Sequence, residues 1–112
     1  MATTRIKGSD IDALAARSDR ITLVDFTATW CGPCRMIHPV LESLSARLKG
    51  RVDFYEVDVD QSPKEANQLG IRGVPTLILY HGGREIDRVV GFRDAGSLEA
   101  HLTGLADTHL TG

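Results

Sequence analysis

Val24-Asp25-Phe26-Thr27-Ala28-Thr29-Trp30-Cys31-Gly32-Pro33-Cys34 is a strand-forming run that breaks into a turn holding both cysteines of the 112-residue chain. The run begins at Ile21 and is β-branched and mostly apolar through Phe26, which predicts a strand covered on both faces, as in a parallel sheet flanked by helices. Asp25 is the anomaly in it. Beyond the turn, Ile37, Val40, Leu41, Leu44 and Leu48 recur at helical spacing, Arg47 and Lys49 sit in the last turn and Gly50 supplies a stop, so a helix is predicted over 33–49. Pro39 predicts a kink there rather than a break, because the apolar stripe continues through it.

The cysteine pair thus lies where a strand hands over to a helix, the place where sites form in α/β sheets. A cysteine that opens a helix faces unpaired N–H groups and the positive end of the helix dipole, which lowers its thiol pKa. Cys31 stands at that edge, and Cys34 is expected beneath it, one turn further in and less open to water. This asymmetry assigns Cys31 to attack on a substrate disulfide and Cys34 to resolution of the mixed disulfide. Gly32 permits close approach of a partner, and Pro33 suits a first-turn position.

Outward from this centre, Arg5-Ile6-Lys7 is expected as a short edge strand, and Ser9 with Asp12 gives cap spacing for a helix near 10–17. Val52 to Val59 is a strand expected beside the Asp25 strand, with Val52, Phe54 and Glu56 on one face. Ser62-Pro63-Lys64-Glu65 reads as a capping box with proline at the first helical position, and Gly70 ends that helix, near 63–69. Pro75 precedes the strand Thr76 to Tyr80, the Gly82-Gly83 turn leads back through an antiparallel strand from Glu85 to Gly91, and Asp94 caps a last helix carrying Leu98, Leu102 and Leu105. The residues after Leu105 are polar and are expected to fray.

The order β-α-β-α-β-α-β-β-α contains no repeat and no linker. It predicts an α/β fold with a mixed central sheet of about five strands, flanked on both faces by about four helices. One domain over 1–112 is expected, with 1–4 and 106–112 frayed. A chain of this size buries roughly two thirds of its unfolded surface, enough for a core without a staple or structural metal.

Charged residues make up 25% of the chain and its net charge is -2, with the signs interspersed and no basic block, which argues against nucleic acid and anionic membrane as partners. The N-terminus lacks the apolar run of a signal peptide, and no stretch of about 18 apolar residues could span a bilayer, so a cytosolic protein is expected. In a reducing compartment a Cys-x-x-Cys pair points to redox chemistry or metal binding rather than to a structural staple.

Trp30-Cys31-Gly32-Pro33-Cys34 after a Val-Asp-Phe strand, then Asp60-Gln61-Ser62-Pro63, Gly70-Ile71-Arg72-Gly73, Val74-Pro75-Thr76 and Gly91, resembles the thioredoxin family in order and spacing from about Ile21 to Leu105. The resemblance implies the thioredoxin fold, a cis bond before Pro75 packed against the disulfide, and reduction of protein disulfides with electrons from a flavin-containing thioredoxin reductase. It implies no bound cofactor beyond the redox-active Cys31–Cys34 disulfide, no metal, and a monomer. Asp25 becomes the buried carboxylate that helps deprotonate Cys34, consistent with the pKa rise that burial gives an acid. Trp30, Gly32, Pro33, Gly73, Val74, Pro75 and Gly91 would line the surface that takes an extended substrate segment, with the Val74 backbone offering strand-like hydrogen bonds. Thr27 stands where many bacterial members have Trp and Glu56 where they have Lys, as in the animal type. Glu56 is expected to raise the Asp25 pKa by like-charge repulsion.

Plainer readings compete at each position. The cysteines could be half a zinc site, which His38 would extend, but tetrahedral zinc needs four ligands and His38 reads better as a partly exposed helix residue. His81, His101 and His109 read as surface residues; the plainer alternatives of a strand-end carboxylate for Asp25 and a core ring for Trp30 are disfavoured, the latter because Trp30 stands beside Cys31. At the level of function, the rival is a binding or chaperone subunit with idle cysteines, against which the intact Cys31-Gly32-Pro33-Cys34 motif with Asp25 and Pro75 argues. A disulfide oxidant or isomerase is the third reading, and Gly-Pro between the cysteines favours reduction.

Overall fold

A computed structural model describes residues 3–110. Five strands, β1 (Thr3–Arg5), β2 (Ile21–Thr27), β3 (Val52–Asp58), β4 (Thr76–His81) and β5 (Arg84–Val90), alternate with four helices, α1 (Ile11–Ala15), α2 (Gly32–Arg47), α3 (Pro63–Gln68) and α4 (Ala95–His109), in the predicted order. The strands form one sheet in the order β1-β3-β2-β4-β5. β1, β3 and β2 run parallel, whereas β4 and β5 are antiparallel to their neighbours.

Alternation along β2 sends its residues to two cores, as period-two geometry requires. Ile21 and Leu23 pack with Ile37, Leu41 and Leu44 of α2 and Leu98, Leu102 and Ala106 of α4. Val24 and Phe26 pack on the other face with Ile11 and Ala15 of α1 and with Leu69 just past α3. Asp25 therefore continues the Ile21 and Leu23 row toward the α2 side. α2 passes through Pro39 as one helix.

At the far end of β4, Gly82 and Gly83 make the two-residue hairpin turn, with φ of 58° and 84°. Two consecutive positive values are what this turn demands, and glycine meets them without steric cost. Asp94 caps α4 as expected, its carboxylate accepting the Ser97 N–H at 2.9 Å.

Five local expectations are corrected. β1 occupies 3–5 rather than 5–7, although the Ile6 N–H still donates to the Glu56 carbonyl. The first helical turn is a short 3-10 segment, Gly8–Asp10, in which Asp10 rather than Asp12 reaches back, accepting the Lys7 N–H at 3.0 Å. Ser62 does not cap α3; its hydroxyl accepts the Gly8 N–H at 3.0 Å and pins that turn to α3. Fraying does not set in at Leu105: α4 runs to His109, Ala106 is fully buried and Leu110 packs on the core. Likewise β1 already begins at Thr3, while residues 1–2 and 111–112 lie outside the described residues.

The Gly8 contact is close enough to predict a mutant. A Cβ there would sit 2.7–2.9 Å from Cγ, Cβ and Cδ of Glu65. Gly8→Ala is expected to destabilise the fold by about 1–3 kcal/mol through overpacking, read as a lower urea midpoint at unchanged slope. Adding Glu65→Ala should recover only part of the loss, because the Glu65 Cβ remains.

Candidate active site

The C-terminal ends of β2 and β3 and the N-terminal end of β4 meet at one edge of the sheet, since Phe26 lies opposite both Val57 and Thr76. β2 stops at Thr27 and the chain turns at once into α2, with Cys31 as its N-cap residue. The Cys31 Sγ accepts the Cys34 N–H at 3.2 Å, so a sulfur takes the place usually held by a capping oxygen. Pro33 sits in the first turn, where its missing N–H costs nothing. Cys31 and Cys34 are joined as a disulfide, with 5.3 Å between their Cα atoms.

The expected difference in exposure between the cysteines is absent: both are 4% exposed. They differ in their partners. Cys31 faces the helix N–H groups and its sulfur lies 3.5 Å from the Val74 carbonyl oxygen. Cys34 lines a cleft of about 290 Å³ with Arg5, Thr27, His38 and Glu56. One sulfur thus looks toward the loop before β4 and the other into a polar recess behind the helix start.

Asp25 is 1% exposed and its Oδ1 has no hydrogen-bond partner. Its neighbour across the parallel β2–β3 pairing is Glu56, as expected. Burial, then the negative charge of Glu56, pushes the Asp25 carboxyl up to about 7, against a smaller downward pull from Arg5. Arg5 is shared, its Nε 3.2 Å from Glu56 and a second nitrogen 3.5 Å from Asp58. His38 stands 4.0 Å from Glu56 and 3.9 Å from Glu42. Glu56→Gln is expected to lower the Asp25 titration, because the like charge goes and Arg5 is freed, while burial keeps it above the ordinary carboxylate range. Titrating the Asp25 carboxyl by NMR in both proteins checks this, and an unchanged midpoint would refute it.

Trp30 is 66% exposed and so is not core; its indole N–H donates to Asp60 at 2.9 Å. Nothing in the sequence spacing joins these two residues, which stand 30 apart. Together with Val59, Ile71, Arg72, Gly73 and Val74, Trp30 lines a shallow hollow of about 140 Å³ beside Cys31. Gly32 and Gly73 are exposed, with open space where a side chain would stand. The Val74–Pro75 bond is cis, as the resemblance implies. Pro75, however, is buried rather than presented on the surface, and its carbonyl accepts the Gly91 N–H at 2.8 Å. Gly91 has φ of 88°, a value that strains any residue with a side chain.

Two of the histidines read as surface residues are engaged. His101 pairs with Asp87, and His81 contacts the Ser18 carbonyl oxygen. No cluster of metal-ligating side chains occurs among the described residues, and no helix there is long and apolar enough to cross a membrane. A larger hollow, about 460 Å³, lies at the other end of the sheet among Arg20, Ser45, Lys49 and Asp53 and is lined by no cysteine. Volume is therefore a poor guide to the site in this fold.

Comparison with known proteins shows the family. The family model described as Thioredoxin matches residues 3–104. A thioredoxin of Staphylococcus aureus is 40% identical over 110 residues, covering 98% of this chain and all of that protein. Among solved structures, a thioredoxin of Malassezia sympodialis superposes with a TM-score of 0.83 at 38% identity, covering 93% of each chain. A mutant thioredoxin from Halobacterium salinarum gives 0.82 at 32% identity, covering 98% of this chain and 92% of that one. With a bonded cysteine pair at a helix start on this fold, idle cysteines are not favoured. The chain belongs to the thioredoxin family, and it is a protein-disulfide oxidoreductase that works by dithiol–disulfide exchange.

Proposed function

We propose that the chain acts as a single-domain reductase of protein disulfides, with Cys31 as nucleophile and Cys34 as resolving thiol. The observation that carries this is the capping geometry, in which the Cys31 sulfur already accepts a helix N–H. In the dithiol the same donor, with the helix dipole, stabilises negative charge on that sulfur and leaves Cys34 the weaker acid. The Cys31 thiolate attacks one sulfur of a substrate disulfide, forming a mixed disulfide and expelling the other substrate sulfur as a thiolate. Asp25, whose carboxyl is held near neutrality, takes the Cys34 proton. The Cys34 thiolate then attacks the Cys31 sulfur, closing the Cys31–Cys34 disulfide and releasing the substrate as a dithiol.

Two electrons leave the protein in each cycle, and a thioredoxin reductase, the partner its family implies, restores them. Substrate lies across Trp30, Gly32, Pro33, Gly73 and Val74. Val74 sits just outside the β4 ladder, which starts at Thr76, so its backbone is available to an added extended segment. Pro75 and Gly91 shape that surface from behind. The chain works as a cytoplasmic monomer, needs no bound cofactor or metal, and uses neither nucleic acid nor membrane as a partner.

Insulin reduction tests the reading. The chain, NADPH and a thioredoxin reductase together should consume NADPH and precipitate insulin B chain, and each omission should stop turnover. No reduction by the complete mixture, with dithiothreitol-driven reduction also absent, would overturn it.

A further inference from the structure

The chain holds ten arginines, and six of them are paired with carboxylates: Arg5, Arg17, Arg20, Arg47, Arg51 and Arg88. Among the described residues the other four, Arg35, Arg72, Arg84 and Arg93, form no ion pair within 4.0 Å. Arg84 opens β5 at the hairpin, at the end of the sheet away from the disulfide. The remaining three all stand at the disulfide end. Arg35 follows Cys34 and donates to the Thr29 carbonyl at 2.9 Å, which holds it across the cysteine turn. Arg72 lines the hollow beside Trp30 and Val74. Arg93 comes two residues after Gly91, whose N–H is bonded to Pro75. All three are exposed.

Ion pairing is therefore the rule for arginine elsewhere on this surface, Arg84 excepted, and Arg35, Arg72 and Arg93 lack it at the disulfide end. The nearby carboxylates are already engaged: Asp60 accepts the Trp30 N–H, and Asp94 caps α4, whose dipole offsets its charge. The same face exposes two aromatic rings, Trp30 at 66% and Phe92 at 43%. An exposed guanidinium with donors to spare recognises a carboxylate through a two-point fork.

We infer that the unpaired Arg35, Arg72 and Arg93 around the disulfide select, as occupant of this face, an extended protein segment with acidic side chains flanking its reactive cysteine. The inference rests on the reductase reading above and adds the charge of the substrate to it. An apolar side chain of that segment fills the hollow between Trp30 and Val74, and the flanking carboxylates pair with the arginines on either side.

Three synthetic peptide disulfides, identical except for Glu, Lys or Ser beside the cysteines, test this with the reduced full chain as reductant. Each second-order rate is divided by the rate with dithiothreitol, which removes the peptide's own reactivity. The Glu peptide should outpace the Lys peptide about tenfold at low ionic strength, and the ratio should fall to within about twofold at ~1 M salt. In a folded Arg72→Glu/Arg93→Glu variant, verified by circular dichroism, the order should reverse. Ser peptide reduced while Glu and Lys peptides react within about twofold of each other, or an unreversed order in the variant, overturns the charge selection alone. Failure to reduce any of the three overturns the reductase reading and this inference with it.

Discussion

Cys31→Ser is expected to bring insulin reduction down to the uncatalysed background, a loss of more than about a thousandfold, because a serine hydroxyl stays protonated where a thiolate must attack. The capping geometry makes the effect specific to this sulfur. It is the Cys31 Sγ, not that of Cys34, that accepts a main-chain N–H at the start of α2. Cys34→Ser gives a different outcome. Attack still occurs, but the mixed disulfide has no second thiol to resolve it, so a covalent adduct with the substrate should accumulate on a non-reducing gel and disappear with dithiothreitol. Alkylation gives the same assignment without a substrate: in the reduced protein Cys31 should react with iodoacetamide well below the pH at which an ordinary thiol does. Turnover surviving in Cys31→Ser, or an adduct forming on Cys34 in the Cys31→Ser protein, would reverse the assigned roles.

The features legible beforehand are those in which a short stretch decides its own conformation. Gly82-Gly83 demands a tight turn whatever surrounds it, Asp94 caps the helix it precedes, and the Trp30-to-Cys34 turn marks where a buried strand must end. The position of Asp25 was readable for a related reason. A strand buried on both faces with one carboxylate in it places that carboxylate in the interior, and parallel pairing sets it beside Glu56.

What escaped depends on contacts between distant segments. Ser62 has the spacing of a helix cap, yet its hydroxyl is taken by Gly8, 54 residues away. Local chemistry permits both bonds, and tertiary packing chooses between them. The end of α4 is not legible in the sequence because Ala106 is too small to signal burial, though it is fully enclosed. Trp30 and Asp60 meet only because the loops after β2 and β3 lie side by side. The equal exposure of the two cysteines could not be foreseen from their order along the helix, because the loop at Val74 covers Cys31.

Asp25→Asn is expected to stabilise the protein at pH 8 and to leave its stability unchanged near pH 3. The Asp25 carboxyl titrates near 7 when folded, against 3.8 ordinarily. Below about pH 4 it is protonated in both the folded and unfolded chains, so it contributes nothing to pH dependence. Between the two values the unfolded chain ionises while the folded one keeps its proton, and stability falls as pH rises, by about 1.4 kcal/mol per pH unit. Above about pH 7 both forms are ionised and the loss levels off, at about 4 kcal/mol. Asparagine escapes this penalty because it does not ionise. Urea unfolding of oxidised wild type and variant across pH 4–9 should therefore give curves that meet in acid and separate through neutrality. The same substitution removes the proton acceptor for Cys34, so disulfide reduction should slow about tenfold at pH 7 and recover toward wild type at pH 9, where solvent takes the proton. A stability gap constant across the whole range would show that Asp25 titrates no differently in the folded chain. Its burial, with Oδ1 unpartnered, would then have a purely structural role, and the base for Cys34 would have to be sought in the cleft that Cys34 lines, among Glu56 and His38.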